Sequence, residues 1–192
     1  MRRKIFLTLV ICMFAAVYTS AQEPVFRQND NVISFGIGIG GTLYSDLVYT
    51  GSSIKRMPTI SFGYERCIID NLFNDKSSIG AGGILGYTSA KYNYGGSGLG
   101  WKSTDFMIGA RGAFHYALVD NLDTYAGTVV GYNFNSWKWT GEGWTTTSST
   151  KNSGITFAVF VGGRYYIADV LAVFAEIGYG YTIFNTGIAL KF

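Results

Sequence analysis

Apolar residues alternate with small or polar residues along most of this chain, in stretches of about ten residues. In the clearest stretch, Phe106, Ile108 and Phe114 share one face, and Arg111 and His115 share the other. A period of two predicts β-strands with two chemically different faces. The eight predicted strands run from Asn31 to Leu43, Met57 to Ile68, Ser77 to Ala90, Thr104 to Leu118, Leu122 to Lys138, Ser153 to Ile167 and Leu171 to Tyr181, and along the terminal stretch that ends at Phe192.

The connections between these strands alternate in length. Val119-Asp120-Asn121 and Ala168-Asp169 are tight turns, whereas the longer connections are Tyr44 to Arg56, Lys91 to Ser103 and Trp139 to Asn152. Two connections fit this alternation less well: Ile69 to Lys76 is long for a turn, and the one near Thr182 is short for a loop. The pattern predicts an all-β fold, an eight-stranded antiparallel up-and-down transmembrane β-barrel with both termini on one side. A soluble periplasmic β-sandwich is the alternative.

The amino-terminus has the order of a secretory signal peptide. Basic residues at positions 2–4 precede an apolar run from Ile5 to Val17, and small residues follow at positions 19–21. The run is short for a membrane anchor, and Cys12 lies inside it behind a bulky Ile11, which argues against lipidation. We therefore predict a signal peptide at residues 1–21 and a barrel domain at residues 22–192.

Composition narrows the possible functions. The chain has 15 Lys and Arg and 12 Asp and Glu. Three of the basic residues, at positions 2–4, leave with the predicted signal peptide, so 12 basic and 12 acidic residues remain. A neutral mature chain gives no reason to expect a nucleic-acid partner. Aromatic residues make up 17%, with 26 Gly and 2 Pro, which favours closely packed strands. With Cys67 alone in the mature chain, no internal disulfide forms.

Candidate chemistry is sparse. His115 is the only histidine, and its inward neighbour on the strand is Ala117, so no hydroxyl accompanies it as a hydrolase requires. One histidine and one mature cysteine do not make a metal cluster. The glycines at 36–41 and 95–100 do not precede a helix, as a phosphate-binding loop must. The sequence predicts no catalytic residue, no metal and no cofactor.

Several segments resemble those of small outer-membrane barrels. The pattern Tyr125-Ala126-Gly127 to Gly131-Tyr132-Asn133 and the closing Phe174 to Gly180 look like versions common in Bacteroidetes. The alternating end from Ile188 to Phe192 resembles the carboxy-terminal signal recognised for barrel assembly. Over nearly all of the mature chain, the sequence resembles the family that includes outer-membrane protein X and the barrel of outer-membrane protein A. This resemblance implies a monomeric protein in the outer membrane of a Gram-negative bacterium, with the barrel-assembly machinery as a partner during biogenesis.

The alternation places five charged residues on the inward face: Glu65, Arg111, Arg164, Glu176 and Lys191. Charges in a narrow lumen are costly unless they are paired, so we expect Glu65 and Glu176 to pair with Arg111 and Arg164. Such a network is either a static plug that fixes the barrel or a narrow polar channel or gate.

A second set of residues lies near the loop ends of the strands. It comprises the cations Lys55, Arg56, Lys91, Lys102, Lys138 and Lys151 and the aromatic residues Trp101, Trp137 and Trp139. Tryptophans at this height are typical of an interfacial girdle, and the cations either contact lipopolysaccharide phosphates or extend to the interface.

Taken together, these features predict a structural and surface-presenting role in contact with outer-membrane lipid. Two alternatives remain: a narrow channel for ions or small solutes, and an adhesin that uses the loop from Trp137 to Lys151.

Overall fold

The computed structural model describes residues 25–41, 52–94, 100–140, 149–151 and 153–192. Ten strands are present in this part of the chain: β1 (Asn31–Ile39), β2 (Ser52–Arg56), β3 (Thr59–Asp70), β4 (Ser77–Tyr94), β5 (Gly100–Val119), β6 (Leu122–Thr140), β7 (Ser149–Lys151), β8 (Gly154–Ala168), β9 (Leu171–Tyr179) and β10 (Phe184–Lys191). None of the described segments forms a helix of the length and apolarity needed to cross a membrane.

Eight of the strands close into a ring. Antiparallel pairing runs β3-β1-β10-β9-β8-β6-β5-β4, and β4 pairs again with β3. The two remaining strands extend this ring, because β2 pairs with β4 on the far side of Met57 and Pro58, and β7 pairs with β6. The predicted eight-stranded up-and-down barrel is confirmed, and the sandwich alternative is wrong, because one closed sheet replaces two packed ones.

Several strands are longer at the loop end than the sequence predicts. Strand residues occur in all three stretches taken as loops. β2 lies within Tyr44 to Arg56, the end of β4 and the start of β5 lie within Lys91 to Ser103, and β7 lies within Trp139 to Asn152. Gly and Ser residues in these segments are typical of loops, which is why loops were predicted. Aromatic and Thr side chains in directly paired positions stabilise the strands instead. The rest of these connections lies outside the described residues.

The two faces of the barrel wall follow the predicted alternation. The outward side chains are large and apolar: Phe35 is 51% exposed and Ile155 is 83% exposed. The last strand shows the same division, with Ile188 and Leu190 outward and Ala189 buried inside. An apolar outer surface around a closed ring is the arrangement of a transmembrane barrel.

The interior is filled by side chains, as an eight-stranded barrel requires. Two apolar clusters pack inside the wall. The cluster near the termini comprises Phe26, Val32, Cys67, Tyr166, Ala172, Phe174 and Ala189. The cluster on the other side of the centre comprises Ile84, Met107, Ala113, Tyr125, Val129, Ala158, Phe160 and Tyr181.

The end of the barrel that carries both termini is closed by short turns. Asn71 and Asn121 adopt positive φ values of 53° and 63° in two of them, a conformation that Asn tolerates better than most residues. The segment before β1 inserts Phe26 into the barrel, where it is 2% exposed. The predicted signal peptide, residues 1–21, lies outside the described residues.

Candidate functional site: the charged centre and the loop-end rim

A network of six charged or titratable side chains occupies the middle of the barrel. We call it the central network; it comprises Glu65, Arg111, His115, Asp123, Arg164 and Glu176, all at most 8% exposed. These residues come from β3, β5, β6, β8 and β9, and each lies on the inward face of its strand. Both apolar clusters border the network, because Phe26 and Tyr125 have ring centres 4.6 and 5.2 Å from that of His115.

Glu65 is the hub of this network. One of its carboxylate oxygens, Oε2, accepts a hydrogen bond from Arg164 Nη2 at 2.6 Å and lies 3.9 Å from Arg111 Nε. The other oxygen, Oε1, is 3.0 Å from His115 Nε2. Because charge-assisted hydrogen bonds of this kind are short and strong, Glu65 ties two other strands of the wall, β5 and β8, to β3.

Glu176 is held on the opposite side. Arg111 Nη2 donates to its Oε1 at 2.8 Å, and the Tyr125 hydroxyl donates to the same oxygen at 3.0 Å. Asn185 Nδ2 donates to Oε2 at 3.3 Å. The guanidinium of Arg111 also lies 4.0 Å from the centre of the Phe160 ring, an arrangement that favours a cation.

His115 joins Glu65 to Asp123 through its two ring nitrogens. Nδ1 lies 2.9 Å from Asp123 Oδ1, and Nε2 lies 3.0 Å from Glu65 Oε1. Ionised carboxylates only accept hydrogen bonds, so both nitrogens act as donors, which is the pattern of an imidazolium. With Arg111 and Arg164, His115 then balances the three carboxylates charge for charge. The geometry is that of a closed, neutral and fully buried ion cluster.

The structure brings together four of the five inward charges singled out from the sequence. Lys191 lies apart, where its Nζ donates to Val25 O at 2.9 Å and sits 4.8 Å from the Tyr166 ring centre. His115 and Asp123 were not included in the predicted network. Their inward positions were visible in the alternation, but their meeting across β5 and β6 depends on strand register.

A row of lysines crosses the outer face of the loop-end wall. Lys55 pairs with Lys91, Lys91 with Lys102, and Lys102 with Lys138, in directly opposite positions on β2, β4, β5 and β6. We call these four residues the lysine row. Their alternation with outward residues such as Phe106 and Phe134 places them on the lipid-facing side, beyond the apolar band. Arg56 is exposed at the end of β2, and Lys151 pairs through its backbone with Ser136.

The three rim tryptophans lie on the other face of the same wall. Trp101 pairs with Trp139, and Trp137 pairs with Ser103, which is 3% exposed inside the barrel. The ring centres of Trp101 and Trp139 are 4.1 Å apart, and that of Trp137 is 5.8 Å from Tyr92. The sequence predicts these tryptophans in an interfacial girdle. Strand alternation continues through the segments that were taken as loops and puts them on the inward face of β5 and β6.

The terminal aromatic residue, Phe192, joins the barrel wall through backbone hydrogen bonds, and its side chain points into the surroundings. Phe192 exchanges two backbone hydrogen bonds of 2.9 Å with Asn31, while its side chain is 67% exposed. In the described part of the chain, no group of three or more His, Cys, Asp or Glu side chains is arranged to hold a metal ion. Cys67 is buried and makes no disulfide.

Fold and interior together define a small closed β-barrel with an apolar outer surface and a filled, ion-paired centre. The class predicted from the sequence is confirmed by this ring of strands. A comparison with protein-family models finds no match, and a comparison with curated protein sequences finds none.

Three solved structures illustrate the similarity in fold. The N-terminal β-barrel domain of Pseudomonas aeruginosa OprF matches with 11% identity over 86% of this chain and 98% of that chain, with a TM-score of 0.48. Ail, the attachment invasion locus protein of Yersinia pestis, matches with 11% identity over 86% and 96%, with a TM-score of 0.45. The outer membrane protein OprG from P. aeruginosa matches with 12% identity over 87% and 97%, with a TM-score of 0.42. At these identities the likeness concerns the fold alone.

Proposed function

We propose that this protein is an integral outer-membrane barrel of a Gram-negative bacterium with a structural and surface-presenting role, and that its lumen does not conduct. The observation that carries the proposal is the central network. Its six side chains are at most 8% exposed and join β3, β5, β6, β8 and β9 across the lumen. A balanced cluster in this position acts as a plug, because opening a water path would separate several buried ion pairs at once.

Phe26 supports the same conclusion from the terminal end. Its ring centre lies 4.6 Å from that of His115, and its main chain lies next to Lys191 through the bond to Val25. The aromatic side chain thus covers the network on the side where the termini meet. A solute that entered from the loop end would meet first the apolar cluster around Met107 and then the network.

Planar-bilayer recording tests the plug. Refolded protein is expected to give no discrete current steps, with folded insertion checked by the compact, heat-modifiable band that closed barrels show on gels. Arg111→Ser and Glu176→Ser together remove the bridge across the lumen while keeping small polar residues, so openings are expected in this variant alone. Reproducible steps from the unaltered protein would overturn the proposal and favour the narrow channel.

We further propose that the lysine row contacts the phosphate groups of lipopolysaccharide. Like charges in directly opposite strand positions destabilise a sheet, and each of these lysines has another directly opposite it. Phosphates above the apolar band would neutralise that repulsion, because polybasic surfaces attract anionic head groups. The closed ring leaves no free edge among its eight strands, so we propose that the barrel is monomeric.

Binding to lipid A in mixed micelles tests the lysine row. Lys91→Gln with Lys102→Gln is expected to weaken binding to bis-phosphorylated lipid A at least tenfold and to leave binding to dephosphorylated lipid A unchanged. Lys76→Gln, the same kind of change in the connection between β3 and β4 at the other end of the barrel, serves as the matched control. Equal affinities for both lipids would remove the phosphate contact from the proposal.

A further inference from the structure

Four aromatic rings line the inward face of the wall at its loop end: Tyr92, Trp101, Trp137 and Trp139. We call them the inner aromatic face. They stand on β4, β5 and β6, beyond the level at which β1 ends. Ile37, near the end of β1, pairs with Ile60, and Ile60 pairs with Tyr87, so Tyr92 lies further toward the loop end than β1 reaches. The rings pack in a continuous series, with the centres of Trp101 and Trp137 6.5 Å apart at 76°. The barrel therefore has a mouth with one aromatic wall.

A buried carboxylate lies next to this face, on the side of the barrel centre. Asp105 is 4% exposed, and it accepts hydrogen bonds from Asn135 Nδ2 at 2.6 Å, Asn133 Nδ2 at 3.1 Å and Ser103 Oγ at 3.2 Å. All three donors are neutral. None of the ion pairs found between described residues includes Asp105. A buried charge is normally paired.

The chain has no obvious cation to supply. The segments outside the described strands on this side, residues 42–51, 95–99, 141–148 and 152, contain no Lys, Arg or His. Lys102 and Lys138 flank the site in sequence but belong to the outward lysine row. Arg56 shares the inward row of Ser103, two strands away, and has a partner of its own.

Two acceptor atoms at the same place lack donors. The Oδ1 atoms of Asn133 and Asn135 are buried and accept no hydrogen bond from the described residues, and Asn135 as a whole is 9% exposed. Both amide nitrogens already donate to Asp105, so their carbonyl oxygens remain for another partner. Buried acceptors of this kind are rare in folded proteins. They require an N–H or O–H donor.

We propose that the mouth of the barrel binds a primary alkylammonium ion. Its positive charge pairs with Asp105, and its N–H groups donate to the carboxylate and to the Asn133 and Asn135 oxygens. Its alkyl chain and charge pack against the aromatic rings, whose faces attract cations. Aromatic rings beside a few polar groups are the usual lining of a small-ligand site.

Other small ligands satisfy only part of the site. A neutral saccharide has hydroxyl donors and an apolar face but leaves the carboxylate without a countercharge. A quaternary ammonium fits the rings and the charge but has no N–H for the two amide oxygens. A divalent metal ion would use the oxygens but not the rings. The primary ammonium is the chemistry that meets all three features.

Intrinsic fluorescence gives a local test, because all 4 tryptophans of the chain lie between positions 101 and 144. The full chain is refolded in a polyoxyethylene detergent, which has neither a charged nor a sugar head group, and titrated at constant ionic strength with n-butylammonium chloride. A saturable change is expected. Tetramethylammonium is expected to bind at least tenfold more weakly, and sodium butyrate and n-butanol to give no saturable change.

Variants separate the proposed site from general effects of added salt. Asp105→Asn keeps the shape of the side chain and is expected to raise the Kd for butylammonium at least tenfold, and Trp137→Ala is expected to raise it severalfold. Asp120→Asn, a matched change in a turn at the other end of the barrel, is expected to leave the Kd unchanged. If Asp105→Asn does not fold, Asn135→Leu replaces it with the same expectation.

The proposal is overturned by any of four results. These are no saturable change with butylammonium, equal affinity for tetramethylammonium, tighter binding of calcium chloride than of butylammonium, and an unchanged Kd in both the Asp105→Asn and the Asn135→Leu proteins. Saturable binding that is lost in either of those variants and kept in Asp120→Asn supports it.

Discussion

Replacing Arg111 with Met tests how the central network stabilises the barrel. The change removes the cation that lies 2.8 Å from Glu176 and 3.9 Å from Glu65, while Met fills much of the space above Phe160. Glu65 keeps Arg164 and His115 as partners. Glu176 keeps only the neutral donors Tyr125 and Asn185, so its charge stays buried without a counterion.

The expected loss of stability follows from this difference between Glu65, which keeps charged partners, and Glu176, which does not. Removing one partner of a buried ion pair costs about 3–5 kcal/mol, because the other charge remains uncompensated. Glu176→Gln in the same protein removes that charge and keeps an oxygen for Tyr125. The double variant is therefore expected to recover about 1–3 kcal/mol relative to Arg111→Met alone, in the range of coupling energies between residues in contact. Arg111→Glu adds a third carboxylate next to Glu65 and Glu176 and is expected to lower stability further.

The assay is a denaturant titration of the protein refolded in detergent micelles, followed by tryptophan fluorescence at the loop end. A shift of the midpoint at constant slope reports a change in the free energy of unfolding. Lys138→Met, an equal change on the outward face, is the control and is expected to stay within about 0.5 kcal/mol of the unaltered protein. A loss below about 1 kcal/mol for Arg111→Met, or a double variant no more stable than the single one, would refute the reasoning.

Two further predictions concern the ends of the chain. Phe192→Ser is expected to leave the denaturant midpoint unchanged, because the side chain is exposed, but to lower the amount of protein in the outer membrane of expressing cells; normal amounts would count against Phe192 as an assembly signal. Gly187→Val is expected to lower the free energy of unfolding by about 1–3 kcal/mol through overpacking, since an added Cβ would lie 2.8 Å from Gly36 Cα. Gly154→Val, where no atom lies within 4 Å of the added Cβ, is its control in the same titration, and equal losses in both variants would contradict the overpacking account.

The strands and their faces could be predicted because both depend on a local period of two. Phe106 and Ile108 point outward and Arg111 and His115 inward whatever the rest of the chain does. The strand ends near Lys91 and Trp139 could not be predicted, because what makes them strands is pairing with a neighbour rather than their own composition. Pro58, which cannot donate a hydrogen bond to a sheet, lies at the break between β2 and β3.

Partner choice within the lumen was predictable only in part. Alternation identifies Arg111 and Glu176 as inward, and the need to pair buried charges makes their contact reasonable. It does not give the height of each side chain, which depends on the stagger of the strands around the ring. Phe26 was missed for a related reason, because it belongs to no strand and is ordered by the cavity that it fills.

The closure of the ring has a consequence for the order of folding. The seam between β1 and β10 joins the first and last described strands, with Val32 opposite Lys191, so it has the longest sequence separation of the strand pairs in the described part of the chain. Contacts of such separation form late and slowly, since the intervening chain must be organised first. Until then, β1 and β10 are open edges that can pair with other chains. Phe26 lies shortly before β1 and packs against His115 of β5, so this contact also holds the β1 side of the seam to another part of the wall.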